Sequence, residues 1–282
     1  MRFVLLLAFA ATLRAASPEF QSALELYNAH RVAEARTAFA RVAATEPRNA
    51  AAKFYLGRCI EARIDADALP EALKCYEQAI TLDPDNAVYL ARYGGAALQL
   101  ANRNTSYTLA TRGRDAMEKA IRLNPEDLDA REGLMEFYER APWPLGSSAK
   151  AAAQLDEIRR RDPDRATVLG AIAQTRAKDF AGAFRACDEV LAKHPDDYTA
   201  LYQYGRTAAI SGEHLELGLQ RLQRCVTLPP PGPASPSPSN AWNRIGDLQL
   251  KLKRPAAARA AYETALKLDP TNKQAADSLA KL

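Results

Sequence analysis

Much of what catalysis or cofactor binding requires is scarce in this chain of 282 residues. Histidine occurs only as His30, His194 and His214, each expected at a helix end or turn. None has a second His or Cys at ligand spacing, so a metal site lacks its donors. Neither G-x-G-x-x-G nor G-x-x-x-x-G-K-[ST] occurs, which leaves no glycine-rich loop for a nucleotide's phosphates. The nucleophile elbow G-x-S-x-G is missing too. Charge of one sign is not in excess: 38 Lys and Arg face 34 Asp and Glu, giving +4, which is no footprint for nucleic acid. Aromatic residues make up 7% of the chain, and the β-branched runs that strands want are absent. The four cysteines, Cys59, Cys75, Cys187 and Cys225, form no C-x-x-C pair. Two readings of them stay open. Cys59 and Cys75 fall on the two helices of one expected hairpin and are the first candidates for a disulfide; the better-fitting reading is four small buried residues in apolar surroundings.

What the chain has in quantity is alanine, a strong helix former, and a recurring pattern. A small residue is followed four positions later by a large apolar one, three later by a small or apolar one, and five later by proline. Ala258, Tyr262, Ala265, Pro270 and Ala72, Tyr76, Ala79, Pro84 show it best. Ala35-Phe39-Val42-Pro47, Gly113-Met117-Ala120-Pro125, Ala151-Leu155-Ile158-Pro163, Ala183-Cys187-Val190-Pro195 and Gly218-Leu222-Cys225-Pro230 complete a set of seven. Between the prolines lie Leu56-Gly57, Tyr93-Gly94, Tyr204-Gly205 and Trp242-x-x-Ile245-Gly246. Periods of this size indicate a helical solenoid.

These elements resemble the tetratricopeptide repeat, with its W-x₂-L-G-x₂-Y, A-x₃-F and P signature. The resemblance covers about residues 20–272. It implies an all-α fold: a right-handed superhelical solenoid of antiparallel helix pairs, about seven units, closed by a capping helix over Lys273–Leu282. The glycines and small residues are read as points of close helix approach. Ala23, Met135 and Ala171 replace glycine in the first, fourth and fifth units, which predicts looser pairing there. Each proline ends a second helix, because the residue before it is pushed out of the helical region. Asn86 and Asn272 then cap the next helix in each case, and Gly146-Ser147-Ser148 caps a helix from about Ala149.

The domain reading is a signal peptide over 1–17, units one to six over 18–228, a Pro/Ser-rich loop over 229–239, and unit seven with its cap over 240–282. The signal rests on order: basic Arg2, an eleven-residue apolar run Phe3–Leu13, then small Ala15-Ala16-Ser17. That run is too short to span a bilayer, which needs about 20 residues. The expectation is an exported, periplasmic or otherwise extracytoplasmic protein with no transmembrane segment. Long turns are expected at Ala62–Pro70, Ala101–Thr108 and Ala141–Ser148, and the proline-rich stretch is read as non-helical.

The resemblance places a partner-binding groove on the first helices. Side chains opposite the Leu-Gly seam are Tyr27, Phe54, Arg58, Arg92, Glu132, Glu136, Arg176, Tyr202, Arg206, Asn243 and Asp247. Asp129, Glu132, Glu136 and Glu139 form an acidic stripe at helical spacing, read as solvated or groove-facing rather than catalytic. Some family members hold a peptide's C-terminal carboxylate in a Lys/Asn/Arg clamp over three units. That clamp is not matched: Phe54 stands for its first lysine and Gly133 for a late basic residue, although Arg206 and Arg244 are placed to meet an acid. The functional expectation is a non-enzymatic scaffold or adaptor binding a protein or peptide, with no cofactor, small-molecule substrate or nucleic acid. The alternative is a permanent subunit of a cell-envelope assembly for secretion, pilus or outer-membrane biogenesis.

Overall fold

The computed structural model describes residues 17–63, 65, 67–232 and 235–282. The expected export signal therefore lies outside the described residues, apart from Ser17, which caps the first helix. Among the described residues there are fifteen helices and no strand. They run as consecutive packed pairs. The first four pairs are α1 (Pro18–Asn28) with α2 (Val32–Thr45), α3 (Ala50–Glu61) with α4 (Ala68–Leu82), α5 (Ala87–Asn104) with α6 (Tyr107–Leu123), and α7 (Leu128–Arg140) with α8 (Ser148–Arg161). The remaining helices are α9 (Pro163–Arg176) with α10 (Phe180–Lys193), α11 (Tyr198–Ser211) with α12 (Leu215–Cys225), α13 (Pro238–Lys251) with α14 (Pro255–Leu268), and α15 (Lys273–Leu279). Two compact units divide them, one holding α1–α4 and the other α5–α15.

The sequence pattern explains the pairing. Each second helix carries one small–large–small triplet, and every triplet position is buried except Leu155, which is half-buried. Tyr76, Phe39 and Tyr262 are at most 1% exposed: Tyr76 and Tyr262 lie against Gly57 and Gly246 of their own pairs, and Phe39 packs on Phe20 and Tyr27 and across to Tyr55 on α3. Each such ring contributes about 1.5–3 kcal/mol by leaving water. Small partners let the backbones close: a Cβ added at Gly94 would lie 2.8 Å from the carbonyl oxygen of Gly113. Ala23 and Ala171, which replace glycine elsewhere, are fully buried in the equivalent place.

Helix ends are set by side-chain capping. Asn86 and Asn272 accept from the backbone N–H of Tyr89 and Ala275, as their positions after proline suggest. Ser147 caps α8 in the same way. Three details differ from expectation. Residues 101–104 do not lengthen a turn but add a last turn to α5, where Thr105 in the left-handed region stops the helix. Pro238 and Ser239, read as non-helical, open α13, since proline's fixed φ suits the first helical position and Ser237 caps it. Gly95 and Gly170 do not serve close packing, because a Cβ on either meets nothing within 4 Å. All four cysteines are free thiols. Burial pushes Cys187 and Cys225 up to about 12 and Cys59 to about 11.

In the first unit the core is aromatic: Phe20, Tyr27, Phe39 and Tyr55 pack with ring centroids 5.2–6.5 Å apart. In the second, one apolar core runs from Val168 on α9 through Cys187, Tyr204, Leu222 and Leu248 to Ala261 on α14. First helices also lie beside first helices, α5 by α7, α9 by α11, and α11 by α13. That row positions the candidate site.

Candidate partner-binding face

The expected groove residues divide by what their neighbours leave open. In the first unit Phe54 is 3% exposed and packs on Tyr55 and Tyr76, so it belongs to the core and not to a groove. The Tyr27 ring is half-buried against Phe39 and Tyr55. Arg58 is half-buried on α3. In the second unit Arg92 on α5 is half-buried. Tyr202 and Asn243 are also turned inward, at 9% and 1% exposure. Phe54, Tyr202 and Asn243 each lie three residues before the glycine of their repeat, and that position is buried in all three. Asp247 is half-buried, accepts from the Tyr262 hydroxyl at 2.9 Å, and pairs with Arg244 at 2.7 Å.

The acidic stripe on α7 is spent on α9. Arg165 reaches Asp129 at 2.7 Å and Glu132 at 2.5 Å. One helical stretch further along α9, Arg176 reaches Glu139 at 3.0 Å and Glu136 at 4.0 Å, while Glu136 also takes Arg140 at 2.8 Å. The stripe is thus an internal ion ladder rather than an uncompensated ligand surface. Burial alone would disfavour the Arg165 charge; hydrogen bonds to Asp129 and Glu132 outweigh it and raise the guanidinium above its ordinary pKa.

Between α9 and α11 the chemistry reverses. Three polar side chains are buried there: Thr175 at 3%, Gln203 at 1% and Thr207 at 0% exposure. The two threonine hydroxyls share a hydrogen bond of 2.8 Å. Gln203 Nε2 donates to both, at 3.0 and 3.2 Å. Gln203 Oε1 then accepts from Arg206 Nη1 at 3.3 Å. Among the described residues, Arg206 has no carboxylate within 4 Å. Burial is the main cause that lowers its pKa; nearby Arg244 and Arg176 add to the lowering, and Tyr202 opposes it. Arg206 lines a pocket of about 470 Å³ with Thr175, Arg176, Lys178, Phe180 and Ile210. Of the expected residues, the structure brings Arg176 and Arg206 together in this pocket.

Profiles described as tetratricopeptide repeat match residues 20–87 and 140–198, and a second such profile matches 239–272. Together they span more than half of the chain. The chain belongs to the tetratricopeptide-repeat family. A tetratricopeptide repeat protein from Parabacteroides merdae superposes with a TM-score of 0.66 at 15% identity, over 93% of this chain and 96% of that one. The APC/C hetero-tetramer Cut9–Hcn1 gives 0.54 at 14% identity, over 93% of this chain and 48% of that one. At these identities the likeness establishes the fold. No curated protein sequence matches.

Sequence reasoning missed several residues of this tetratricopeptide-repeat face. Lys178 sits in the turn between α9 and α10, and Phe180 opens α10, a second helix that was not expected to contribute to the face. Thr175, Gln203 and Thr207 were hidden by burial. Their signal is Gln203 and Thr207 four apart on one face, inside a run of Tyr, Gly and Ala that otherwise packs.

Proposed function

We propose that this chain is a non-enzymatic interaction scaffold that holds a segment of a partner protein along the face formed by α9, α11 and α13. The observation that carries this reading is the pocket at Arg206, set where first helices stand side by side and lined by both cationic and apolar groups. Arginine and aromatic side chains are enriched at protein interfaces. Family membership supports a protein ligand, and the even balance of charge argues against nucleic acid. The basic–apolar–small order of residues 1–17 supports an exported scaffold, periplasmic or otherwise extracytoplasmic. No helix among the described residues is long and apolar enough to cross a membrane.

Site-specific photocrosslinking in cell-envelope extract tests the reading. A crosslinking residue at Ile210 or Lys178 should give discrete adducts with protein, and one at the exposed Glu263 of α14 should not. Equal adducts from both faces would sink it. A fusion of residues 1–17 to a cytoplasmic reporter checks export directly: the reporter should leave the cytoplasm.

A further inference from the structure

We infer that the α9–α11 pocket takes an acidic side chain of an extended partner segment, with an apolar neighbour of that acid seated against Phe180 and Ile210. The inference rests on the scaffold reading and names the chemistry of what the scaffold holds. Three cations from three places meet here: Arg176 at the end of α9, Lys178 in the turn after it and Arg206 on α11. Arg176 is already met from α7 by Glu139 at 3.0 Å and Glu136 at 4.0 Å, so the charge left over is that of Lys178 and Arg206. Asp179, next to Lys178, accepts from the Gly182 backbone to cap α10. Neither Lys178 nor Arg206 forms an ion pair among the described residues.

Arg206 is not merely a stray surface charge. It is half-buried, and the Thr175–Gln203–Thr207 network beneath it fixes one edge of the guanidinium through Gln203 Oε1. Its other N–H groups have no acceptor among the described residues. A planar donor set held from below and left open above suits a carboxylate, which accepts two N–H groups at once. A nucleic acid would need a longer basic track than three cations, and Phe180 with Ile210 gives the pocket an apolar wall that a phosphate backbone does not use.

The test is selection of random dodecapeptides on the full chain, with titration of the enriched sequences afterwards. Peptides with an Asp or Glu beside a large apolar residue should dominate. Changing that acid to its amide should weaken binding about tenfold or more, the scale of a lost charge-assisted contact. Arg206→Gln on the protein should do the same, with Arg206→Lys intermediate. The Arg206→Gln thermal midpoint should equal or exceed that of the parent, which separates lost contact from lost fold. Enriched peptides indifferent to the acid and to Arg206→Gln would overturn this inference and leave the scaffold reading standing. Dependence on the peptide's free C-terminus, abolished by C-terminal amidation, would also overturn it. No enrichment at all would overturn both readings.

Discussion

Arg165 and Arg206 are two arginines on neighbouring first helices, both half-buried, in opposite situations. Arg165 is held by Asp129 and Glu132, and its pKa is raised. Arg206 has a neutral network beneath it and other cations beside it, and its pKa is lowered. The first arrangement joins α7 to α9 and is complete as it stands. The second leaves charge over. A half-buried cation without a carboxylate costs stability, so its place in an ordered pocket asks for a reason outside the fold. The contrast separates a charge that holds the repeat together from one that is available to something else.

Removing the support of Arg206 should have the largest effect on stability. Thr175→Val with Thr207→Val keeps the shape but leaves Gln203 Nε2 buried without an acceptor. Unfolding by denaturant should show a loss of about 2 kcal/mol. A loss near zero would mean that the network does not order this region. Breaking the other arginine comes next. Arg165→Ala removes the tie to two carboxylates and should cost about 1 kcal/mol, discounted because Asp129 is half exposed. The loss should shrink in high salt. Gly170→Ala, on the helix that carries Arg165, should stabilise by about 0.5–1 kcal/mol, since the added methyl meets open space. A loss there would show that the backbone needs glycine for packing after all. The smallest change is to supply the acid that Arg206 lacks. Ile210→Glu stands one turn along the same helix; pairing with Arg206 is offset by the negative charge in the last turn of α11, so stability should move by no more than about 0.3 kcal/mol while peptide binding weakens.

The repeat itself was legible because its signal is redundant. Tyr76, Tyr262, Ala79 and Ala265 recur in phase with prolines, and periodicity alone makes them packing residues of a helical repeat; that Tyr76 and Tyr262 lie on Gly57 and Gly246 of their own pairs, rather than filling the gap to the next unit, comes only from the structure. The candidate face was legible only in part. Arg176 and Arg206, both expected to face the groove, line one pocket, but Phe54, Tyr202 and Asn243, expected to face it too, are packed. Periodicity within one pair carries no information about how far the neighbouring helices extend over its free side. Nor did it reveal that Glu132 and Glu139 would be met by Arg165 and Arg176, residues 33 and 37 positions away. Such pairings arise from stacking, and each member is an ordinary exposed charge in one dimension.

The unbroken core from α9 to α14 has a consequence for the proline-rich connection before α13. Leu219, Leu222 and Cys225 on one side of that connection share a single apolar cluster with Ala241, Ile245 and Leu248 on the other. The Tyr198 hydroxyl also donates to the carbonyl of Pro236 at 2.7 Å. A protease that nicked the chain at Gly232 would therefore sever it without dismantling it. The two fragments should co-elute on a sizing column and part only in denaturant, because what joins the last helix pair to the others is contact rather than covalent continuity.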